Sequence, residues 1–499
     1  MNFYFSAAQV LDRLDAKQGS IKGLIASVPE KDRKRTSALV IETLKYKPVL
    51  NDIIKEAKLL KEERKKLTSA NLALVLVHDL LLSSGGIQAG DGPIKQAVLR
   101  HKTRLRAELQ KVKIKRGVGS NEELAQHRDS RASQIPRYVR VNTLLWSTEE
   151  AVEHFVTQGF TLSGPFEVSP KSDILLYSGA SERYTNKHFR NQGFSKDEHV
   201  PNLLLFNPQI SFQDDPSYKA GKIILQDKAS CFPAIVLNPP ATQRSAVIDA
   251  TAAPGNKTSH LSALMGNKGK LYAFEKDKRR FSTLQMMLSK AKCSNVRGQN
   301  TDFLMTDPLD PDYSSVTHIL LDPSCSGSGI VNRLDYLLEQ AEEEGESEQE
   351  GRLQKLASFQ LMMIKHAMKF QNVKKIVYST CSIHAIENEH VVCAALKSDE
   401  ALARNFKLAP RDDVLPTWTR RGLPEEMDVP GLADSLVRCM PGEDATNGFF
   451  VSCFIRDEGE AKELRNRKRE HESEDTVDQL AGAPRKKKRK KKKTQKTPD

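Results

Sequence analysis

Residues 246–258 have the sequence Ala-Val-Ile-Asp-Ala-Thr-Ala-Ala-Pro-Gly-Asn-Lys-Thr, which is the pattern of a strand, a turn and the start of a helix. Its apolar start, Ala246 to Ile248, predicts a short buried strand, and a helix is predicted to begin near Lys257. The small residues between them let the backbone approach a ligand closely, next to the free N–H groups of the helix. The loop is neither Gly-x-Gly-x-x-Gly nor a Walker A loop, so the pattern argues against a dinucleotide or ATP site.

Further apolar segments alternate with helical segments after this stretch. Strands are predicted over 270–274, 316–321, 375–378 and 449–454, and a helix is predicted over 356–370. Short buried strands that alternate with helices predict a mostly parallel sheet that is covered on both faces. In such a sheet the ligand lies at the carboxyl ends of the strands. We assign this α/β domain to residues 226–457.

The remaining regions have different patterns. Residues 1–130 repeat apolar positions at three- and four-residue spacing and predict a helical module, with many basic residues over 95–116. The basic residues are interpreted as a solvated face or as an RNA site, and the pattern leaves both open. Residues 131–225 predict a small α+β domain. The charged segment 458–499 predicts a disordered basic tail, and 341–351 a mobile acidic loop.

The overall composition argues against a membrane protein and against a secreted protein. The chain of 499 residues carries a net charge of +13, and 38% of its residues are hydrophobic. No apolar run is long enough for a membrane span, and Asp12 interrupts the N-terminus before a secretory signal could form. The seven cysteines include no Cys-x-x-Cys pair, so no metal site is expected, and their odd number favours a reducing compartment.

A run of basic residues lies near the C-terminus. Arg485 to Lys493 are nine consecutive basic residues. Such runs indicate a nuclear or nucleolar address, and the alternative is a solvated tail without a partner of its own.

Two carboxylates extend the candidate ligand site. Glu275 ends the second strand about twenty residues after Gly255, where an acidic group can accept hydrogen bonds from two ribose hydroxyls. Asp302 follows the next strand region and can accept a hydrogen bond from an adenine amine. Glu275 by itself could equally be a surface carboxylate. The ordered series of loop, Glu275 and Asp302 favours a cofactor site.

Two cysteines follow two predicted strands at the same edge of the sheet. Asp322 and Cys325 follow 316–321, and Cys381 follows 375–378. A thiolate that adds to carbon 6 of a cytosine turns carbon 5 into a nucleophile that can attack a methyl sulfonium. Asp322 is placed to stabilise the charge that the ring gains near N3, and the second cysteine to assist thiol release. These residues locate both cysteines but do not rank them.

Several motifs occur together between roughly residues 136 and 455. They are Pro136-Arg137-Tyr138-Val139-Arg140-Val141-Asn142, Gln226-Asp227-Lys228-Ala229-Ser230, the Ala-Ala-Pro-Gly-Asn-Lys-Thr loop at 252–258, Asp322-Pro323-Ser324-Cys325-Ser326-Gly327, Ser379-Thr380-Cys381-Ser382-Ile383-His384, Glu387-Asn388-Glu389 and Asn447-Gly448-Phe449-Phe450. With these motifs the sequence resembles the Nop/Sun RNA cytosine-5 methyltransferases. Ser-Phe-Gln at 358–360, Ser-Gly-Ser-Gly at 326–329 and the N-terminal helices are most similar to the branch that acts on large-subunit ribosomal RNA in eukaryotes.

The resemblance implies a fold, a cofactor and a set of site residues. The fold is α/β, a Rossmann-like S-adenosyl-L-methionine-dependent methyltransferase domain with an N-terminal helical module and a small α+β RNA-recognition-like module. Cys381 would be the nucleophile, and Cys325 would assist product release beside Asp322. The cofactor-binding residues would be Thr251, Ala252, Ala253, Pro254, Gly255, Asn256, Lys257, Glu275, Arg280, Asp302 and Asp322. Thr251 and Glu275 stand where relatives often have Cys and Asp, and they keep size or charge.

The implied partner is RNA, as large-subunit rRNA or a pre-ribosome, and a monomer in the nucleus or nucleolus is expected. No membrane or DNA partner is expected. A DNA cytosine-5 methyltransferase would carry its nucleophile in a Pro-Cys dipeptide, and an amino-group methyltransferase an Asn-Pro-Pro-Tyr-like loop. The chain has Asp322-Pro323-Ser324 in that place. A non-catalytic ribosome-assembly factor that retains the fold is the alternative function.

Overall fold

The computed structural model describes residues 2–16, 18–126, 129–164, 192–331, 337 and 346–457. The predicted tail, 458–499, lies outside the described residues, as do residues 341–345 of the predicted acidic loop. The other part of that loop prediction is wrong, because a long helix begins at Glu346 and includes residues up to 351. Glu and Gln are good helix formers, so an acidic composition did not exclude a helix there.

The N-terminal region is a bundle of helices. Its elements are α1 Asn2–Asp15, α2 Ile21–Ala26, α3 Glu30–Lys45, α4 Lys47–Glu56, α5 Leu59–Glu62, α6 Ala70–Leu81, α7 Pro93–Arg100 and α8 Lys102–Arg116. Residues 71–80 of α6 are all buried, which places this helix at the centre of the bundle. The Ser69 hydroxyl accepts a hydrogen bond from the Leu72 N–H at 3.2 Å and caps the helix. Leu337, distant in sequence, is 3% exposed and belongs to the same core.

The second region is a small sheet with one longer helix. Its elements are β1 Arg137–Val141, α9 Thr148–Thr157, β2 Thr161–Leu162, β3 Gly193–Lys196, β4 Leu203–Phe206, α10 Pro216–Lys219 and β5 Ile223–Leu225. The strand order is β2-β3-β4-β1-β5. Ser147 and Glu150 form a capping box at the start of α9, which fixes where that helix begins. Phe155 of α9 packs on Phe206 of the sheet, with ring centroids 4.9 Å apart.

The third region contains the large sheet. Its elements are α11 Lys228–Leu237, β6 Ala246–Asp249, α12 Asn256–Leu264, β7 Lys270–Phe274, α13 Lys278–Lys290, β8 Val296–Gln299, β9 Val316–Leu321, α14 Glu346–Met368, β10 Lys375–Thr380, α15 Glu389–Leu396, α16 Asp399–Ala403, β11 Phe406–Leu408, β12 Val437–Cys439 and β13 Phe449–Arg456. The order is β11-β13-β10-β9-β6-β7-β8, with β12 paired to β13. Strands β6 to β10 are parallel, and β13 is antiparallel to β10.

The order of the parallel strands creates a crevice. From β6 the chain moves outward through β7 and β8, and then returns to the other side of β6 to form β9 and β10. The order therefore reverses between β6 and β9, and ligands of such sheets bind outside the carboxyl ends of the strands at that point. The predicted α/β class, with a helical module and a small α+β module, is confirmed.

The agreement at the level of elements is uneven. The predicted strands 246–248, 270–274, 316–321, 375–378 and 449–454 correspond to β6, β7, β9, β10 and β13. The strand region expected before Asp302 corresponds to β8, whereas the short strands β11 and β12 were not predicted. The domain boundaries at 130, 225 and 457 stay predictions. Among the described residues, no helix is both long enough and apolar enough to span a membrane.

Candidate active site

The loop after β6 is shaped by one buried carboxylate and one glycine. Asp249 is 1% exposed, and its carboxylate accepts a hydrogen bond from the Thr258 hydroxyl at 2.8 Å. Burial raises the pKa of Asp249 to about 6. Gly255 has a φ of 112°, and a Cβ there would lie 3.3 Å from Leu284 and Met287. A side chain at this position would be strained, so the turn into α12 requires glycine.

An ion pair connects α12 to the carboxyl end of β9. Lys257 Nζ lies 2.7 Å from Asp322 Oδ2 and donates to the Ser230 hydroxyl at 3.1 Å. Burial by itself lowers the pKa of Lys257, but the charge of Asp322 and its hydrogen bond raise it overall. Asp322 also accepts a hydrogen bond from the Ser379 hydroxyl at 2.8 Å, and its N–H donates to the Thr251 hydroxyl at 3.1 Å. Asp322 therefore joins the ends of β6, β9 and β10.

A cavity of about 830 Å³ opens at this edge of the sheet. Ten of the predicted site residues line it, namely Thr251, Ala253, Pro254, Lys257, Glu275, Arg280, Asp302, Asp322, Cys325 and Cys381. Ala252, Gly255 and Asn256 are not among its lining residues. Ala252 and Gly255 are buried inside the turn, where they shape the backbone. The cavity volume is in the range of ordinary small-molecule sites.

One end of the cavity carries two carboxylates. Glu275 is 5% exposed, and its carboxylate accepts the Asp277 N–H at 2.8 Å and lies 3.3 Å from the Arg280 guanidinium. Arg280 also donates to the Ala253 carbonyl at 2.8 Å, so it joins the end of β7 to the loop after β6. Asp302 lies after β8, 3.5 Å from the Lys276 ammonium. Carboxylate oxygens at this end can accept hydrogen bonds from a nucleoside.

The two cysteines are in contact at the other end of the cavity. Cys325 Sγ and Cys381 Sγ lie 3.1 Å apart, after the parallel strands β9 and β10. The Gly329 N–H donates to the Cys381 carbonyl at 2.9 Å and connects the two loops. The hydrogen bond to Cys381, burial, and the charges of Cys381 and Glu387 together raise the pKa of the Cys325 thiol.

A buried polar network fixes both cysteine loops. The carboxylate of Glu387, which is 0% exposed, accepts hydrogen bonds from the Ser326 N–H at 2.9 Å, from the Ser326 hydroxyl, and from the Gln360 amide at 3.0 Å. Gln360 also donates to the Ser324 carbonyl at 3.1 Å. Ser326 contacts the Ser382 hydroxyl at 3.2 Å, on the loop of Cys381. A buried network in which every polar group has a partner holds its loops rigidly. The hydrogen bonds of this network therefore fix the distance between the two thiols.

Several lining residues were not predicted as site residues. Asp227, Phe359 and Phe449 line the cavity, and the Lys257 ammonium lies 5.2 Å from the ring centroid of Phe449. Asp227 and Phe449 belong to motifs that carried the resemblance, so a signal for them was present. Met363 and Ile330 also line the cavity, and an apolar residue in a helix or loop gives no such signal. Among the described residues, no group of His, Cys, Asp and Glu side chains is arranged to hold a metal ion.

A buried arginine of the small sheet supports the start of α12, after the loop that follows β6. Arg140 of β1 is 0% exposed and donates to the Gln226 side chain at 2.7 Å, to the Ser259 hydroxyl at 2.8 Å and to the Asn256 carbonyl at 3.2 Å. Burial lowers the pKa of Arg140 to about 10. The first turn of α12 is thereby attached to the second region of the chain.

Three family models match consecutive parts of the chain. They describe the N-terminal domain of NOL1/NOP2/Sun domain family member 5 at residues 34–125, its ferredoxin-like domain at 135–226, and the 16S rRNA methyltransferase RsmB/F at 234–455. The 25S rRNA (cytosine-C(5))-methyltransferase of Schizosaccharomyces pombe is 43% identical over 452 residues, which cover 91% of this chain and 91% of that protein. The chain belongs to the NOL1/NOP2/Sun domain family. The resemblance inferred from the motifs is confirmed.

A second relative and a solved structure agree with this assignment. The 28S rRNA (cytosine-C(5))-methyltransferase of Mus musculus is 42% identical over 461 residues, 92% of this chain and 92% of that protein. The crystal structure of the protein PH0851 superposes with a TM-score of 0.56 at 19% identity, and the match covers 90% of this chain and 97% of that one. At that identity the solved structure supports the fold of this NOL1/NOP2/Sun chain and nothing further.

Proposed function

We propose that this protein transfers a methyl group from S-adenosyl-L-methionine to carbon 5 of a cytosine in large-subunit ribosomal RNA, through a covalent bond to Cys381. The observation that carries the proposal is the contact between the Cys325 and Cys381 thiols, 3.1 Å apart at the edge of a cavity with two carboxylates at its other end. The relatives at 42 and 43% identity are named as methyltransferases of 28S and 25S rRNA cytosine, which supports the substrate.

The cavity residues fit S-adenosyl-L-methionine. Glu275 and Asp302 supply acceptors for ribose hydroxyls and an adenine amine, and the turn at 251–255 leaves room for close backbone approach. We assign Arg280 a supporting role, because its guanidinium holds both Glu275 and the Ala253 carbonyl. When bound, the cofactor supplies an electrophilic methyl group.

The charges around the thiols favour Cys381 as the nucleophile. The sequence left the two cysteines unranked, and the resemblance alone chose Cys381. The charge of Lys257 interacts with Cys381 and stabilises a thiolate there. Glu387 accepts three hydrogen bonds next to Cys325, and its negative charge is among the causes that raise the pKa of Cys325. A positive charge near Cys381 and a negative charge near Cys325 support Cys381 as the nucleophile of the pair.

The other residues of the site can stabilise the negative charge that develops during the reaction. The Cys381 thiolate adds to carbon 6 of cytosine, a C–S bond forms, and the electron pair moves into the ring toward N3. Asp322 lies beside the thiols and can hydrogen-bond N3–H and the exocyclic amine, while Lys257 adds a positive charge close by. Carbon 5 would then take the methyl group and pass its proton to a water molecule, and the electron pair left on carbon 5 re-forms the C5–C6 double bond and expels the Cys381 thiolate. As the C–S bond breaks, Cys325, held as a thiol, donates a hydrogen bond to the departing Cys381 sulfur.

The partner and the location extend the same proposal. The expected substrate is rRNA, free or in a pre-ribosome, on which the protein would act as a monomer. The run Arg485 to Lys493 supports a nuclear and nucleolar address. Deleting that run should move a fluorescent fusion out of the nucleolus while the purified enzyme keeps its activity. An unchanged nucleolar signal of the fusion would show that this run is not the localisation signal.

Nucleoside mass spectrometry of large-subunit rRNA tests the function. A strain without the gene should lose 5-methylcytosine at one cytosine, and the wild-type chain should restore it. Cys381→Ala should not restore it, whereas the matched control Cys393→Ala, in α15 and absent from the cavity lining, should. An unchanged 5-methylcytosine content after deletion of the gene would favour the non-catalytic assembly factor.

A further inference from the structure

Outside the basic run Arg485 to Lys493, two segments of the N-terminal helices carry a large excess of positive charge. Residues 55–66 contain six basic and three acidic residues, and residues 93–116 contain nine basic and one acidic residue. Their combined net charge is +11, whereas the whole chain carries +13. The rest of the protein, with its long basic tail, is therefore close to neutral. We call the surface formed by residues 55–66 and 93–116 the basic corner.

The fold brings these two segments together. Arg100 forms a bidentate ion pair with the Glu63 carboxylate, with N–O distances of 2.8 and 2.9 Å. Arg104 lies 2.8 Å from Glu62 and donates to the Ala57 carbonyl at 3.0 Å. These contacts attach the α5 turn to the end of α7 and the start of α8, while Leu59 and Leu67 are buried in the core. The basic corner is therefore one surface, even though its segments are separated in the sequence.

The acidic residues of the corner are largely occupied by these internal pairs. Glu62 and Glu63 pair with arginines, and Glu108 pairs with Lys111 at 2.8 Å. Other basic side chains of the corner are exposed and pair with no carboxylate among the described residues, namely Lys61, Arg64, Lys65, Lys66, Lys102 and Arg106. The internal pairs use up the negative charges and leave an excess of positive charge toward solvent.

The chemistry of the surface fits a phosphate backbone. Helix α8 has 15 residues and is about 22 Å long, so its lysines and arginines can follow several successive phosphates. Protein interfaces have an apolar or aromatic centre. In the described part of the corner the only large apolar side chain exposed on these helices is Ile114. A polyanion is therefore a better match than a protein partner.

A buried leucine connects the N-terminal helices to the region that contains the cavity. Ile330 lines the cavity, and Leu337, seven residues later, is buried in the core of the N-terminal helices. Seven residues span at most about 25 Å, so the part of the helical core that contains Leu337 lies within that distance of Ile330. The Gln126 N–H also donates to the Lys45 carbonyl at 2.7 Å, which holds the linker to the second region against α3. An RNA with its target in the cavity can reach the corner with nucleotides outside the target.

We propose that the basic corner binds the phosphate backbone of the substrate RNA outside the methylated nucleotide. The inference rests on the proposed function in taking RNA as the substrate. It assigns the N-terminal helices a role in substrate affinity, in place of the purely solvated face that the sequence also allowed. The contacts are to phosphates, so they add affinity without selecting a sequence.

Binding of labelled RNA at several salt concentrations tests the surface. The variant Lys61→Gln/Arg64→Gln/Lys65→Gln removes three exposed charges, and Lys268→Gln/Lys270→Gln/Arg297→Gln is the matched control on exposed residues of the third region. The probes are a long fragment of large-subunit rRNA and a short oligonucleotide from it. Loss of three phosphate contacts should make the negative slope of log K against log salt shallower by about 2. It should also weaken binding of the long RNA roughly 10- to 100-fold.

The short oligonucleotide and the control separate the outcomes. The corner variant should bind and methylate the short RNA as the wild type does, and should keep kcat on saturating long RNA. An unchanged affinity and salt slope for long RNA, or an equal loss in the control variant, would overturn the proposal. Failure of the wild-type chain to methylate either RNA would instead contradict the proposed function, and the binding data would still decide the role of the corner.

Discussion

The Sγ atoms of Cys325 and Cys381 lie 3.1 Å apart, each in the loop that follows one of two neighbouring parallel strands. At that distance one thiol can donate a hydrogen bond to the other, so a single negative charge on the pair is stabilised and a second one is opposed. Lys257 interacts with Cys381, and Glu387 acts on Cys325. The opposite charges of these two residues are the basis on which we propose a different role for each cysteine.

Replacing Lys257 should shift the reaction to higher pH. Lys257→Gln removes the positive charge that stabilises the Cys381 thiolate and the charge on the ring, so a smaller fraction of the enzyme is active at neutral pH. We expect kcat/KM to fall roughly 100-fold and its alkaline rise to move upward in pH. A pH–rate profile measures both effects. Lys268→Gln, on an exposed lysine after α12, is the control. A lower rate with an unmoved profile would mean that Lys257 only binds ligand.

Replacing Glu387 should make Cys325 easier to deprotonate. In a Cys381→Ala background, Glu387→Gln removes a negative charge that raises the pKa of Cys325. The midpoint of iodoacetamide labelling of Cys325, followed by mass spectrometry against pH, should move downward. Ser326→Ala in the same background removes one hydrogen bond to Glu387 without changing charge and should move the midpoint less. A midpoint unaffected by Glu387→Gln would show that the carboxylate only supports the loop.

The buried carboxylate of Asp249 should make stability depend on pH. Its folded pKa of about 6 lies above the ordinary value of 3.8, so the folded state holds the proton more tightly than the unfolded state. Wild-type stability is therefore lost as pH rises from about 4 through 6, by up to about 3 kcal/mol. The Asp249→Asn side chain does not titrate. The free energy of unfolding of this variant, relative to that of the wild type, should therefore rise with pH over this range. Urea unfolding at several pH values measures the difference. A pH-independent difference between the two proteins would contradict the raised pKa.

Ten of the thirteen residues predicted as site residues line the cavity, because the candidate site lies where strands end. Apolar runs located β6, β9 and β10, and the residues that follow them are Thr251, Asp322 and Cys381. The carboxyl ends of parallel strands meet at one edge, so residues distant in sequence could be grouped without knowing any contact.

Other parts depend on tertiary contacts that no local pattern contains. The three-residue strands β11 and β12 are set by pairing with β13. The burial of Leu337 in the N-terminal core and the contact of Arg140 with α12 join separate regions of the chain. The roles proposed for the two cysteines depend on the positions of Lys257 and Glu387 around them. The sequence analysis had predicted Lys257 only as a cofactor-binding residue.

Trapping of the covalent protein–RNA adduct is the most direct test of Cys381 as the nucleophile. Cys325→Ala removes the thiol that assists release, so on incubation with S-adenosyl-L-methionine and rRNA it should accumulate an adduct that survives a denaturing gel. Cys381→Ala, and the double variant, should form none. An adduct that accumulates in Cys381→Ala and is absent in Cys325→Ala would reverse the roles of the two cysteines and contradict this account.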